Sequence, residues 1–475
     1  MKNIKLILTV LIALIVNASS AQTQLWGTCQ FGGTNNKGTI FKCDGNGNNF
    51  VNVYSMDSAT GSLPIGSLCL ATNNKLYGVT TNSGSCQIGG VCYSYDPATG
   101  IFDGFHDFAC DPIHGLGAGN AMVVGIDGNL YGLAPYGGVY SGGVIYKVDP
   151  NTNSYSDIYD FKNTTGSAPY CTLLPLNNGK LYGVTERGGS EEGGVIFSFD
   201  PSTSTFNMLH SFDSTTGIQP FNSGLIMATD GKLYGVTEWG GLHGWGVIFS
   251  FDTATNIYTD LFDYTGSTGS SPWGSLIQAT DGKLYGITSG SFSGYVVIFN
   301  YDISTNTYTD LLTLNVIYAP DSPEDGFIQA SNGKLFGLAD YGGSHINGVA
   351  FSYDISANTY TVLENFDTAV GNNPRSGLIE TLAGLGIPSI NIKEEINTFP
   401  NPATNTITFH QSNSQFSTLN SQLIIANILG NEIYHQPINN STESTIDVSQ
   451  WSNGIYFYEL RSKNGIECGK FIVQK

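Results

Sequence analysis

The feature that most limits what this chain can fold into is a repeat. A Leu-Tyr-Gly phrase, Leu-Phe-Gly in its last copy, recurs with its leucine at Leu76, Leu130, Leu181, Leu233, Leu284 and Leu335, at intervals of 54, 51, 52, 51 and 51 residues. A Leu-Trp-Gly at Leu25 lies another 51 residues upstream, which makes seven copies. Self-similarity at this period means a propeller or a solenoid. The unit reads as four strands. Strand a is SLIQAT in the sixth copy, and an Asp-Gly or Asn-Gly pair follows it (Asn178-Gly179, Asp230-Gly231, Asp281-Gly282, Asn332-Gly333). Such pairs tolerate φ > 0 at both central positions and predict tight hairpins. Strand b is KLYGVT, a Gly-rich loop leads to strand c (GVIFSFD), and a D-x-x-T turn leads to strand d (NIYTDLFDY). Four strands per unit, with no 3.6-residue periodicity, describe a propeller blade.

The two ends of the array complement each other. Only Gln22, Thr23 and Gln24 separate Leu25 from the expected leader cleavage point, so the first copy has no strand a. At the far end, NPRSGLIETLAGLG (373–386) matches SPWGSLIQATDGKL (271–284) but has no Leu-Tyr-Gly after it. The orphan strand is expected to complete the first blade and remove an exposed edge. The expected fold is all-β: a seven-bladed β-propeller over 22–387, its ring closed by that C-terminal strand, then a linker at 388–397 and a small β-sandwich over 398–475. An open array is the alternative.

The run aliphatic–Tyr–Gly, Gly-Gly, aromatic–Ser–aromatic–Asp–x–x–Thr–x–x–Tyr resembles the kelch blade layout. It is closer still to the GloVer tandem repeats of exported bacterial proteins. The kelch Trp of strand d is Tyr or Phe here, and the WD-type signature is missing. This resemblance implies fold rather than activity, because propellers host unrelated functions.

Both termini read as export signals. Lys2 and Lys5 precede an 11-residue apolar run (6–16), and Ser19-Ser20-Ala21 supplies small residues for cleavage, so 1–21 is a signal peptide. No later stretch reaches the roughly 18 apolar residues of a membrane helix. After 384 the repeat gives way to FPNPATNTITF, LIIANILGNEIY and TIDVSQWSNGIYFYELRSKNGIECGKFIVQK, alternating strands with Asn-Gly turns. Pro400-Asn401-Pro402, Asp447-Val448-Ser449, Gly454-Ile455-Tyr456-Phe457 and Lys470-Phe471-Ile472-Val473 resemble the C-terminal sorting domain of the type IX secretion system of Bacteroidota. The resemblance implies that 398–475 engages that secretion machinery, and that the product is secreted or held at the outer cell surface.

Charge narrows the partners. Lys+Arg number 18 against 38 Asp+Glu, a net charge of −20 that becomes −22 once Lys2 and Lys5 leave with the leader. A phosphate-binding surface needs a basic footprint, so nucleic acid is excluded as an expectation. Of eight cysteines, seven fall in the first three copies and Cys468 near the C-terminus. Cys86 and Cys92 flank one b–c loop and are a candidate disulfide in an exported chain. No CxxC-like spacing implies zinc, and no cofactor is implied.

The a–b and c–d turns repeat nearly unchanged, whereas the b–c loops diverge, which marks the loop face as the recognition surface. Four loops carry an aromatic before Gly-Gly: Phe31, Tyr136, Trp239 and Tyr341. Trp245 shares a loop with Trp239, and Phe221 and Trp273 come from d–a connections on the same face. Aromatic rings among few charges suit the C–H faces of sugars, so these residues are candidate ligands for an extracellular glycan or protein; the alternative is that they pack blade on blade. Glu186, Glu238 and Asp340 each lie five residues after their leucine. Two carboxyls across a cleft can cleave a glycosidic bond, which keeps a polysaccharide hydrolase or lyase as a second reading. The plainer expectation is that these are solvated loop acids. A purely structural adhesin is a third reading.

Overall fold

The computed structural model describes residues 23–82, 89–108, 114–117, 119–221, 224–289, 295–315, 325–382, 396–401, 403–411, 421–427, 432–438, 443–462 and 465–475. The chain divides into two compact units, Met1–Gly384 and Leu385–Lys475. Among the described residues the only helix is a single 3-10 turn at Asn163–Thr165, and none is long and apolar enough to cross a membrane. The protein is all-β and propeller-like in its first unit. The expected leader lies outside the described residues.

Each repeat builds one antiparallel sheet, of four strands in six repeats and five in the sixth, where Ser270–Pro272 and Ile277–Gln278 both pair with Leu284–Ser289. The fifth runs Ile226–Met227, Leu233–Val236, Val247–Asp252, Ile257–Asp263, in that order. Strand b is buried along its whole length. Its glycine is required by strand c: Gly235 faces Phe249, and a Cβ on it would stand 2.6 Å from that ring. Gly183 and Phe197 repeat the arrangement at the same distance. The Leu-Tyr-Gly phrase therefore records a missing side chain on strand b that admits an aromatic ring on strand c.

The phrase's tyrosine secures the preceding turn. Tyr234 Oη–H donates to Asp230 Oδ2 at 2.8 Å, and Tyr285 to Asp281 at 2.7 Å. The turn departs from expectation. Only its glycine takes a positive φ, 83° at Gly231 and 86° at Gly282. Gly231 N–H donates to Ala228 O at 2.9 Å, the geometry of a three-residue loop ending in a left-handed glycine. The aspartate selects it, since Asp230 Oδ1 accepts the Lys232 N–H at 3.1 Å.

Strand d joins sheet to sheet. Parallel rings stack between consecutive sheets at Tyr54–Phe102 (4.3 Å between centroids), His106–Tyr155 (3.5 Å), Tyr159–Phe206 (4.3 Å), His210–Tyr258 (4.1 Å) and Phe262–Tyr308 (3.9 Å). Such pairs add about 0.5–1.5 kcal/mol to the area they bury. Each sheet also shares a buried apolar cluster with the next. The seventh sheet shares one with the first, where Phe336, Leu338 and Phe366 meet Leu25, Phe41 and Leu378.

The first sheet draws on both ends of the array. Its order is Val51–Ser55, Thr39–Asp44, Thr23–Cys29, Ile379–Leu382. The last pair is antiparallel, from Thr23 opposite Leu382 to Trp26 opposite Ile379, and Trp26 Nε1–H donates to Thr381 Oγ1 at 2.9 Å. A sheet-to-sheet bond found elsewhere recurs here. Thr229 N–H donates to Gln278, Thr280 N–H to Gln329, and Ser331 N–H to Glu380, at 2.8, 2.9 and 2.8 Å.

The second unit has a three-stranded sheet (Ile396–Phe399, Thr406–Gln411, Glu443–Asp447) and a four-stranded one (Glu432–Ile438, Ser421–Asn427, Gly454–Ser462, Gly465–Val473). Ile407, Phe409 and Ile446 of the first pack with Leu423, Tyr456 and Phe471 of the second. The Pro-Asn-Pro segment is tied to the final strand, because Asn401 Oδ1 accepts the Ile472 N–H at 2.9 Å.

Burial holds the imidazoles of His106 and His210, inside the strand-d stacks, below their ordinary pKa. The unfolded chain then binds those protons more readily, so their contribution is present above about pH 6.5 and lost as pH falls below it. Urea unfolding should show lower stability near pH 5.5 than near pH 7.5. His106→Phe with His210→Phe should shrink that difference, and an unchanged difference would refute the assignment.

Candidate functional site

Two repeat positions converge on one cavity. The first lies five residues after each leucine, where strand b gives way to the b–c loop, and holds Gln30, Thr81, Pro135, Glu186, Glu238, Ser289 and Asp340. The second follows the proline of the d–a connection and, among the described residues, holds Ile65, Tyr170, Phe221, Trp273 and Arg375. A cavity of about 180 Å³ is lined from both sets, by Gln30 and Thr81 from the first and Ile65, Tyr170, Phe221 and Arg375 from the second, with Asn120 beside them. The d–a connections approach one another backbone to backbone. A Cβ on Gly274 would stand 2.4 Å from Gly326 N, which is why small residues recur there. Ser67 Oγ–H and Gly377 N–H both donate to Asp325 Oδ2, the latter at 3.1 Å, joining three connections through one carboxyl that burial raises above its usual range.

An aromatic wall runs from the cavity. Tyr136 meets Tyr170 at 5.8 Å, edge to face, with their hydroxyls hydrogen-bonded. Tyr170 meets Phe221 at 5.2 Å, and Phe221 meets Trp273 at 6.0 Å. All but Tyr136 are half-buried.

The three carboxylates are not solvated loop acids. Asp340 is fully buried, and its Oδ2 accepts the Arg375 Nε–H at 2.7 Å. Glu186 is 9% exposed and paired with Arg187 Nε at 3.1 Å. Glu238 is half-buried, and its carboxyl is raised by burial and by the nearby Glu186 charge; the Trp273 and Trp239 side chains partly oppose the shift. Trp273 Nε1 is itself enclosed without a well-aligned acceptor. Loops of this kind suggest exposure, but here they turn inward over the d–a connections.

The other named residues separate. Trp239 and Trp245 pair at 6.2 Å, and Trp245 lines a distinct cleft of about 400 Å³ with Tyr295. Phe31 is held by a backbone bridge to Asn372, and Tyr341 is 43% exposed; neither lines the cavity. Cys86 lies outside the described residues. Cys92 is a buried thiol, as are Cys29, Cys43 and Cys171. Burial pushes the Cys43, Cys69 and Cys171 thiols up to about 12, which makes them poor nucleophiles. Among the described residues no three His, Cys, Asp or Glu side chains are grouped to hold a metal. Sequence reasoning missed Gln30, Thr81, Tyr170 and Arg375. The available signal was positional, since each occupies a repeat position already flagged by a carboxylate or by Trp273.

Residues 23–228 and 219–387 match the Gloeobacter/Verrucomicrobia repeat, and the chain belongs to that repeat family. Residues 397–474 match the secretion system C-terminal sorting domain, which directs type IX secretion to the cell surface or the extracellular space. No curated protein matches the chain. Among solved structures it is similar to two 6-phosphogluconolactonase candidates. For the one from Bacteroides fragilis the TM-score is 0.54 at 16% identity, covering 77% of this chain and 99% of that one. For the one from Bacteroides uniformis the TM-score is 0.52 at 14% identity, covering 76% and 99%. The β-propeller domain of the Trilobed protease from Pyrococcus furiosus matches at a TM-score of 0.41 and 11% identity, covering 70% and 88%. Likeness at such identities concerns the fold alone.

Removing the guanidinium leaves a buried carboxylate without its partner. Arg375→Ala is therefore expected to cost about 1–3 kcal/mol in urea unfolding, discounted because the arginine is partly exposed. The double change Arg375→Ala with Asp340→Asn should recover part of that loss. If the single variant unfolds like the parent, the pair is not structural.

Proposed function

We propose that residues 1–21 are removed as a signal peptide, that 22–387 closes into a seven-bladed propeller, and that 398–475 carries it through type IX secretion after a linker at 388–397. Closure is supported by the pairing of Thr23–Trp26 with Ile379–Leu382, by the core shared between the seventh and first sheets, and by Glu380 repeating the Gln278 and Gln329 bond. The exported ring is a non-catalytic binding protein for an extracellular glycan, held at the face where the b–c loops and d–a connections meet. The observation that carries this reading is the run Tyr136, Tyr170, Phe221, Trp273 beside a small cavity lined by Gln30, Thr81 and Asn120. Half-buried rings next to amide and hydroxyl groups offer a pyranose both an apolar face and hydroxyl partners.

One observation favours a second reading. Glu238, raised by its surroundings, lies within electrostatic reach of Glu186, and a raised acid beside a second carboxyl is the arrangement of glycoside hydrolysis. A single incubation of the secreted chain with a polysaccharide panel, scoring both retention and new reducing ends, separates the two. Retention without product is expected, and Trp273→Ala should weaken it by more than about 1 kcal/mol. New reducing ends would replace binding with catalysis, and silence in both assays would remove glycan as the ligand.

A further inference from the structure

One repeat position is aromatic only in the fifth and sixth repeats. Strand c carries a valine paired with the end of strand d, Val247 opposite Asp263 and Val297 opposite Thr313, with the same bulge after the next residue. Two residues before that valine the second, third and fourth repeats have Gly89, Gly142 and Gly193. A Cβ there would stand 2.2, 2.5 and 2.6 Å from the carbonyl oxygens of Phe108, Phe161 and Phe212, so those repeats admit no side chain. The fifth and sixth have Trp245 and Tyr295 instead. Both rings line one cleft of about 400 Å³, together with Gly266, Ser267 and Ser270 of the connection that joins their two sheets and with Thr313. That volume falls in the range of small-molecule sites, about 300–1,000 Å³.

The lining decides what kind of molecule fits. Among the described residues no charged side chain lines the cleft, so an ion would lose its hydration there without gaining a partner. A wholly apolar occupant would in turn leave hydroxyls without partners. Ser267 and Thr313 stand exposed at the rim, and Ser270 is fully buried with an Oγ that has no hydrogen-bond partner. The Trp245 ring is left open by a glycine, since a Cβ on Gly266 would lie against it, 3.5 Å from Nε1 and 3.7 Å from Cε2. An indole and a phenol among neutral hydroxyls offer a pyranose an apolar surface for its C–H face and uncharged partners for its hydroxyls.

We propose that this cleft is a binding site for a neutral oligosaccharide, with a sugar ring held by Trp245 and Tyr295 and its hydroxyls met by Ser267 and Thr313. The site is separate from the cavity at Tyr170, and it stands whether or not that cavity takes a glycan.

The test is calorimetric titration of the full chain, without residues 1–21, with neutral oligosaccharides of glucose, galactose, mannose and xylose. At least one should bind, with an affinity that stays the same between about 0.05 and 0.5 M salt, because no charge takes part. Trp245→Ala and Tyr295→Ala should each weaken that binding about tenfold. Tyr295 is 51% exposed, so its truncation leaves the core intact. Ser267→Phe adds bulk at the exposed rim and should block the cleft without touching the core. Melting curves establish that the variants are folded. If the cavity binds as well, Trp273→Ala should remove its share of the heat and leave the share of the cleft. Binding lost in the cleft variants but kept in Trp273→Ala would support the cleft and remove the cavity as a glycan site. Binding lost in Trp273→Ala but kept in all three cleft variants would overturn the cleft and leave the cavity reading standing. An affinity that falls with salt would overturn the neutral assignment, and no binding of any oligosaccharide would end both readings.

Discussion

Everything about the first unit depends on a short antiparallel ladder between Thr23–Trp26 and Ile379–Leu382. The repeat produces sheets that cannot cover their own faces, so each must pack on a neighbour. Seven such sheets in an open row would leave two apolar faces and two strand edges in water. The ladder pairs the start of the first repeat with the strand that follows the last, and Leu25, Phe41 and Phe366 share one buried core. Ser67, Asp325 and Gly377 lie far apart in the chain and meet at one carboxyl, as the proposed closure requires.

Within that frame the unit is simple. An absent side chain on strand b admits a ring on strand c, the Asp-Gly turn is held by the tyrosine of strand b, and rings of strand d stack on those of the next sheet. Repetition then makes position informative. Residues from the same two places in several units line one cavity, so Gln30, Thr81, Tyr170 and Arg375 belong to one site although their contexts look unrelated. Chemistry enters where a repeat departs from its neighbours, as it does at Trp245 and Tyr295, where the third and fourth repeats have glycine.

Much of this was legible before any coordinates. The period, the four strands, the orphan strand and the sorting domain all follow from spacing and local pattern, because hydrophobic alternation and turn chemistry act over a few residues. The turn type was misjudged, since Asp-Gly is compatible with two hairpin geometries and the choice falls to the aspartate's bond to Lys232 N–H. The acids were expected in solvent because loops in general are wet; their burial is a tertiary effect, and Arg375 reaches Asp340 from 35 residues away. The wall was half visible, as Phe221 and Trp273 were flagged while Tyr170, at the same repeat position, was not.

The central claim is that the two ends of the repeat array form one sheet. Amide hydrogen exchange on the secreted chain, read by mass spectrometry on peptides covering 23–29 and 379–382, tests it most directly. The account predicts that both peptides exchange slowly and together, in step with the interior strand Leu233–Val236. Rapid exchange of either one, at the rate of an unpaired terminus, would contradict it.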